Sequence, residues 1–248
     1  TCPVRRRLDG QGFPALLRDE PGFGGRFTQA ARTPARCFRG SRAGVWCQAI
    51  VVACNTATAE AIQHIRATLQ TIPIIGVEPG IKPAALQSQK GLVGVLATEA
   101  TLKSDKFNAL LATLPDQCQF IKQAGAGLVP LIEAGQANSE ETLELLAKHL
   151  EAIQDSGADT LVLGCTHYPF LRKAIRKLLG DSITIIDTSE AVVRQLKRQL
   201  EANPIPGVKL DHQQLTFISS KDERSLLAMA HELMLSDMRS HRIEAKLL

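Results

Sequence analysis

Aromatic side chains are scarce in this sequence: eight Phe, one Tyr and one Trp among 248 residues. Interleaved aromatic platforms for nucleic acid are therefore missing, and no recognised nucleic-acid motif replaces them. No stretch of eighteen apolar residues occurs, so no membrane-spanning helix is expected. The six cysteines (Cys2, Cys37, Cys47, Cys54, Cys118 and Cys165) form no Cys-x-x-Cys pair, and no secretory signal pattern is present. The expectation is a cytoplasmic chain with reduced thiols rather than three disulfides. Phosphate-loop spacing is also missing. The Gly125-Ala126-Gly127 stretch lacks the third glycine and, on this reading, the adjoining strand of a dinucleotide fingerprint.

What is present is a hydrophobic fraction of 44%, enough at this length for one large α/β domain or two lobes. The net charge of +4 is unevenly placed. Residues 1–47 carry nine Arg, no Lys and three acidic residues, whereas the remaining 201 carry 20 basic and 22 acidic side chains. The basic head shows neither a sustained 3.6 period nor strand alternation, and its structure is not assigned.

From Gln48 onward, apolar runs alternate with helical periodicity. Ala49–Ala53, Ile72–Val77, Leu92–Ala97, 119–122, Thr160–Leu163, Ser182–Ile186 and Leu215–Ile218 read as strands. Helices are expected over Thr56–Leu69, Lys103–Leu114, 139–154, Tyr168–Leu179, Glu190–Ala202 and Leu226–Leu235. Ser139 is a plausible cap, followed by Glu140 and Glu141, whose charges suit a helix N-terminus. This alternation predicts an α/β fold of two pseudosymmetric lobes, each a mostly parallel sheet flanked by helices. Pro, Gly and polar residues interrupt the pattern at Val77–Gly80 and Asp187–Ser189. The first lobe then comprises 1–78 plus 188–248, and the second 79–187.

Two segments carry the chemistry. Cys54 in Ala-Ile-Val-Val-Ala-Cys-Asn-Thr and Cys165 in Leu-Val-Leu-Gly-Cys-Thr-His-Tyr each sit where an apolar strand meets a helix, 111 residues apart. Ligands of α/β proteins collect at the carboxyl ends of parallel strands. A lone buried cysteine is more often an inert small hydrophobe, yet two in matching settings suggest a symmetric reaction. Asn55-Thr56 and Thr166-His167 add hydrogen-bonding groups at turns where helix amides favour a thiolate. His167 can be read as a metal ligand, a general acid or a backbone-satisfied cap. The spacing of Cys54, Cys165 and His167 matches no zinc pattern. Glu133, between an apolar pair and a glycine, and Glu78, Asp187 and Thr188 at strand ends are weak candidates taken singly.

Taken together, Ala53-Cys54-Asn55-Thr56-Ala57, Gly164-Cys165-Thr166-His167-Tyr168-Pro169, Gly76-Val77-Glu78-Pro79 and Pro130-Leu131-Ile132-Glu133 resemble the glutamate racemases of the aspartate/glutamate racemase superfamily. The resemblance covers about residues 48–248. It implies two lobes enclosing the amino acid, with one cysteine on each face of its α-carbon: one thiolate removes the α-proton while the opposite thiol delivers a proton. It further implies catalytic roles for Cys54, Cys165, His167 and Glu133, and substrate binding by Asn55, Thr56 and Thr166. Glutamate is the implied substrate, D-glutamate for peptidoglycan the implied product. No cofactor, metal, nucleic acid or membrane partner is expected, and a homodimer is compatible with the resemblance.

The family's opening Phe-Asp-Ser-Gly and later Pro-Tyr-Gly segments are not found in residues 1–47. With its arginines, missing lysine and Thr1 start, this head is read as a shifted reading frame or altered terminus, the alternative being a divergent, basic, partly disordered head. Rival readings are an aspartate or hydantoin racemase, a catalytically dead amino-acid-binding homologue, and nucleic-acid binding through the arginine-rich head.

Overall fold

A computed structural model describes residues 15–17, 49–70, 72–202, 214–219 and 242–247. The described residues divide into two units: one is formed by residues up to Val77 and from Ala191 onward, the other is Glu78–Glu190. Each is built on parallel strands.

In the first unit, β1 (Ala15–Leu17), β2 (Ile50–Val52) and β3 (Ile74–Gly76) form a parallel sheet in that order, with Ala15 opposite Ile50 and Ile50 opposite Ile74. The short β1 lies within the head that the sequence leaves unassigned. Alternation along β2 explains its uninterrupted apolar run. Ile50 and Val52 pack with Ile74 against Ala57, Ala61, Ile62 and Ile65 of helix α1 (Asn55–Thr68), while Ala49, Val51 and Ile75 face Val192, Leu196 and Leu200 of the opposite helix. A parallel strand covered on both faces has no polar side to present. Strands β8 (Gln214–Ser219) and β9 (Arg242–Leu247) pair in parallel as a separate two-stranded sheet.

The second unit holds α2 (Ile81–Gln87), β4 (Leu92–Ala97), α3 (Glu99–Lys103), α4 (Asp105–Leu111), β5 (Gln119–Ala124), α5 (Leu128–Glu133), α6 (Glu140–Asp155), β6 (Thr160–Gly164), a 3₁₀ turn (Tyr168–Leu171), α7 (Arg172–Leu179) and β7 (Thr184–Ile186). Its strands are parallel in the order β5-β4-β6-β7. Leu96, Leu161 and Leu163 face α5, α6 and α7, and Val93, Val95 and Val162 face α2 and α4. Leu146, Leu150 and Ile153 recur at helical spacing along α6 and are fully buried, each contributing roughly 1.5–3 kcal/mol of transfer free energy. Helix α8 (Ser189–Ala202) carries the chain back into the first unit.

Three local expectations change. The helix expected over Lys103–Leu114 is two short helices, because extended Ser104 ends α3 and caps α4: its hydroxyl donates to the Thr101 carbonyl and accepts from the Phe107 N–H. Tyr168–Leu171 is 3₁₀ rather than α, with Pro169 at its start. A strand does precede Gly125, since β5 runs to Ala124; the missing third glycine still separates this turn from a dinucleotide fingerprint. The expected helix Leu226–Leu235, Cys2, Cys37 and Cys47 lie outside the described residues.

Candidate active site

Both candidate cysteines follow the carboxyl end of a parallel strand, and both are buried. In the first unit, Cys54 comes two residues after β2 and is the N-cap of α1. The Ala57 N–H donates to its sulfur at 3.4 Å. An amide donor and the positive end of a 14-residue helix both favour the thiolate. Thr58 fastens this corner: its hydroxyl donates to the Val52 carbonyl (3.2 Å) and accepts from the Val77 N–H (3.1 Å). A Cβ on Gly76 would lie 2.6 Å from the Thr58 methyl, so glycine there lets helix and strand close on each other. Asn55 is buried in the first turn, and its Oδ1 has no hydrogen-bond partner among the described residues. Thr56 is half-buried beside it.

In the second unit, β4 leads to β5 on one side of the sheet and β6 leads to β7 on the other. The connections therefore diverge between β4 and β6, where an open α/β sheet leaves a crevice at its carboxyl edge. Cys165 sits there, directly after β6. Gly164 permits the approach of the two strands, since a Cβ on it would lie 2.7 Å from the Ala97 Cβ.

Beyond Cys165 the side chains form a relay. His167 Nδ1 lies 3.7 Å from Cys165 Sγ, and His167 Nε2 lies 3.0 Å from Glu133 Oε1. A carboxylate only accepts, so Nε2 carries the proton and Nδ1 is left to face the sulfur. In that tautomer Nδ1 can take the thiol proton, and Glu133 stabilises the imidazolium that results. His167 is 2% exposed, so this exchange is shielded from bulk water. Thr166 is half-buried between the two.

The structure thus brings Cys165, His167 and Glu133 together, and Cys54, Asn55 and Thr56 together. Glu78 instead pairs with Lys106 at 2.7 Å, and Asp187 with Arg172, while Asp187 also accepts the Ser189 N–H. Cys118 is half-buried, with its thiol 3.7 Å from the Ala85 carbonyl. Two contributors are not singled out by the sequence. Thr58 is a hydroxyl within the otherwise apolar stripe of α1, which was the available signal. Tyr168, the only tyrosine, is fully buried and donates to the Gly125 carbonyl at 3.1 Å. Burial, reinforced by Cys165, pushes its phenol far above the ordinary range, so it remains a donor. Among the described residues, no three His, Cys, Asp or Glu side chains gather as a metal site, and no helix is long and apolar enough to cross a membrane.

Comparison with known proteins narrows the reading. Residues 21–196 match the family model described as Asp/Glu/Hydantoin racemase. The chain is 48% identical to the glutamate racemase of Ralstonia nicotianae over 201 residues, 81% of this chain and 72% of that protein. It is 50% identical to the glutamate racemase of Cupriavidus pinatubonensis over 188 residues, 76% of this chain and 69% of that protein. It spans about 70% of these relatives' length. Its fold is shared with Escherichia coli glutamate racemase in complex with L-glutamate and the activator UDP-MurNAc-ala, at TM-score 0.77 and 24% identity, over 96% of this chain and 89% of that one. A family match across most of the sequence, near-50% identity to these relatives and the shared fold leave one conclusion: the chain belongs to the Asp/Glu/hydantoin racemase family, on its glutamate racemase branch.

Proposed function

We propose that the protein interconverts L- and D-glutamate by proton transfer at Cα, with Cys54 and Cys165 as the two acid-base groups. In one direction a thiolate takes the α-proton and the other thiol returns one; in the reverse direction they exchange roles. The C–H bond breaks heterolytically, its electron pair stays on Cα in a carbanion-like transition state, and a sulfur-borne proton then forms the new C–H bond. Protons and charge balance without an oxidant or reductant.

The observation that carries this reading is the Cys165–His167–Glu133 relay, buried at Cys165 and His167, which gives a thiol a place to leave and recover its proton. A thiol suits the task because its pKa can be brought near the operating pH. The carbanion has no pyridine ring to spread into, so fixed hydrogen-bond donors must stabilise it. Asn55, Thr56 and Thr166, beside the two thiols in sequence, are assigned to the substrate's carboxylate and amine. The Oδ1 of Asn55, without a partner among the described residues, is the kind of acceptor an ammonium group needs. The glutamate racemase relatives support glutamate as substrate; a cytoplasmic location, a supply of D-glutamate to peptidoglycan and a homodimer belong to the same proposal, the last to be checked by light scattering.

Solvent deuterium is expected to enter Cα from either enantiomer, and Cys54→Ala or Cys165→Ala is expected to lower racemisation by about 10²–10⁴-fold. Full turnover in either variant contradicts the two-thiol assignment. Calorimetric binding of glutamate by the wild-type chain with no change in optical rotation favours a binding homologue instead.

A further inference from the structure

The relay needs Glu133 to be held on His167, yet α5, which ends in Glu133, is only six residues long and has no side-chain cap at its N-terminus. Its start is set by the Gly125-Ala126-Gly127 turn. That turn is gripped from two sides. Tyr168 donates its hydroxyl to the Gly125 carbonyl (3.1 Å), and His149 on α6 places Nε2 2.8 Å from the Ala126 carbonyl. A carbonyl only accepts, so His149 carries its proton on Nε2. Its Nδ1 then faces the side-chain amide of Gln123 at 3.2 Å, and the same amide also donates to the Ala124 carbonyl at 2.9 Å. This fixes the imidazole at the end of β5.

The fit is close. A Cβ on Gly125 would lie 2.4 Å from the Tyr168 hydroxyl, and Gly127, at φ +82°, takes a left-handed conformation that lets the chain turn into α5. The Gly125 carbonyl also accepts the Leu128 N–H at 3.4 Å, so the atom held by Tyr168 belongs to the turn that opens the helix. Tyr168 adjoins His167, which closes a ring: Cys165, His167, Glu133, α5, Gly125, Tyr168.

We propose that Tyr168 and His149 are positioning residues for the reaction, holding the Gly125–Gly127 turn so that α5 keeps the Glu133 carboxylate on His167. The kinetic part of this inference rests on the racemase reading above; the structural part does not. A rigid helix of about 1.5 Å rise per residue passes a shift at its first turn directly to its last residue.

The test pairs kinetics with ¹⁵N–¹H spectra of histidine-labelled protein, in which the His167 Nε2–H signal is assigned by its loss in His167→Gln. Glu133→Gln is expected to broaden that signal. Tyr168→Phe and His149→Ala are expected to do the same, and His149→Gln, whose amide can again donate to Ala126, to restore it. For glutamate racemisation, Tyr168→Phe is expected to lower kcat about tenfold with KM within about twofold. The Tyr168→Phe/Glu133→Gln double variant should be no slower than Glu133→Gln alone. An unmoved His167 signal in both Tyr168→Phe and His149→Ala overturns the proposal, as does a double variant in which the two losses multiply. Should Tyr168→Phe fail to fold, the half-exposed His149 pair decides through the same signal. A wild-type protein that does not racemise glutamate removes the proposed function, while the ring-proton signal still decides the positioning.

Discussion

Cys54 and Cys165 end their strands alike and then part ways. Cys54 caps a long helix, so its sulfur receives a main-chain N–H. Cys165 stands three residues ahead of a 3₁₀ turn, and its sulfur faces an imidazole backed by a carboxylate. In the first arrangement, ionisation is favoured by fixed dipoles that gain or lose no proton. In the second, the neighbouring group is itself able to gain or lose a proton. Two thiols proposed to serve opposite directions of one reaction need not be chemically equivalent, and here the polypeptide gives them different support.

The sharpest way to break this comparison is to remove the imidazole. His167→Gln is expected to lower turnover about 10²-fold, and iodoacetamide labelling mapped by mass spectrometry should slow at Cys165 while Cys54 keeps its wild-type rate. Equal slowing at both sulfurs means the thiols share one environment and the contrast fails. Next in size is Glu133→Gln, which keeps the shape and removes the charge behind the imidazole. About a tenfold fall in kcat is expected, again with Cys54 labelling unchanged.

The positions of the two thiols were legible in the sequence, for a physical reason, although the sequence presented their settings as alike. Doubly covered parallel strands write themselves as unbroken apolar runs, so β2, β4 and β6 stand out, and the residues just beyond them are where ligands collect. What stayed hidden was the turn geometry. Cys-Asn-Thr and Cys-Thr-His look alike as strings, yet the first enters an α-helix at once and the second passes through Tyr168-Pro169. Glu133 looked like a solvated helix-end charge because nothing in its own segment announces His167, 34 residues away. Tyr168 stood in the family motif and was the sole tyrosine, but neither gave it a role, and its partner is a backbone carbonyl that no sequence pattern marks.

The Cys54 corner should respond to a different kind of change. Thr58→Val is nearly isosteric and removes the hydroxyl that ties α1 to the ends of β2 and β3. Val77 N–H keeps its bond to the Val52 carbonyl at 3.2 Å, so the loss is held to about 1 kcal/mol, read as a lower urea midpoint. Labelling of Cys54 should change and that of Cys165 should not. This is the reverse of the His167→Gln result and completes the crossed pair.

The smallest effect tests whether stability in the second unit can be altered without touching its thiol. Asp159 stands just before β6, at the opposite end from Cys165. It accepts from the Ser88 hydroxyl (2.6 Å) and from the Gln89 and Lys90 N–H groups (2.8 and 2.9 Å). Burial pushes its carboxyl up, but the hydrogen bonds from Ser88, Lys90, Gln89 and Thr160 together outweigh that and leave it below the usual carboxylate range. A carboxyl lowered in the folded state contributes stability above its unfolded pKa, and that contribution disappears as pH falls through the folded value. The urea midpoint of the wild type should therefore fall on acidification below about pH 4 more steeply than that of Asp159→Asn. Near neutral pH the variant should sit slightly lower, because an amide cannot accept every bond the carboxylate does. Cys165 labelling should stay at the wild-type rate throughout, since the length of β6 separates the two ends; a changed rate means that this end of the strand also sets the thiol's surroundings.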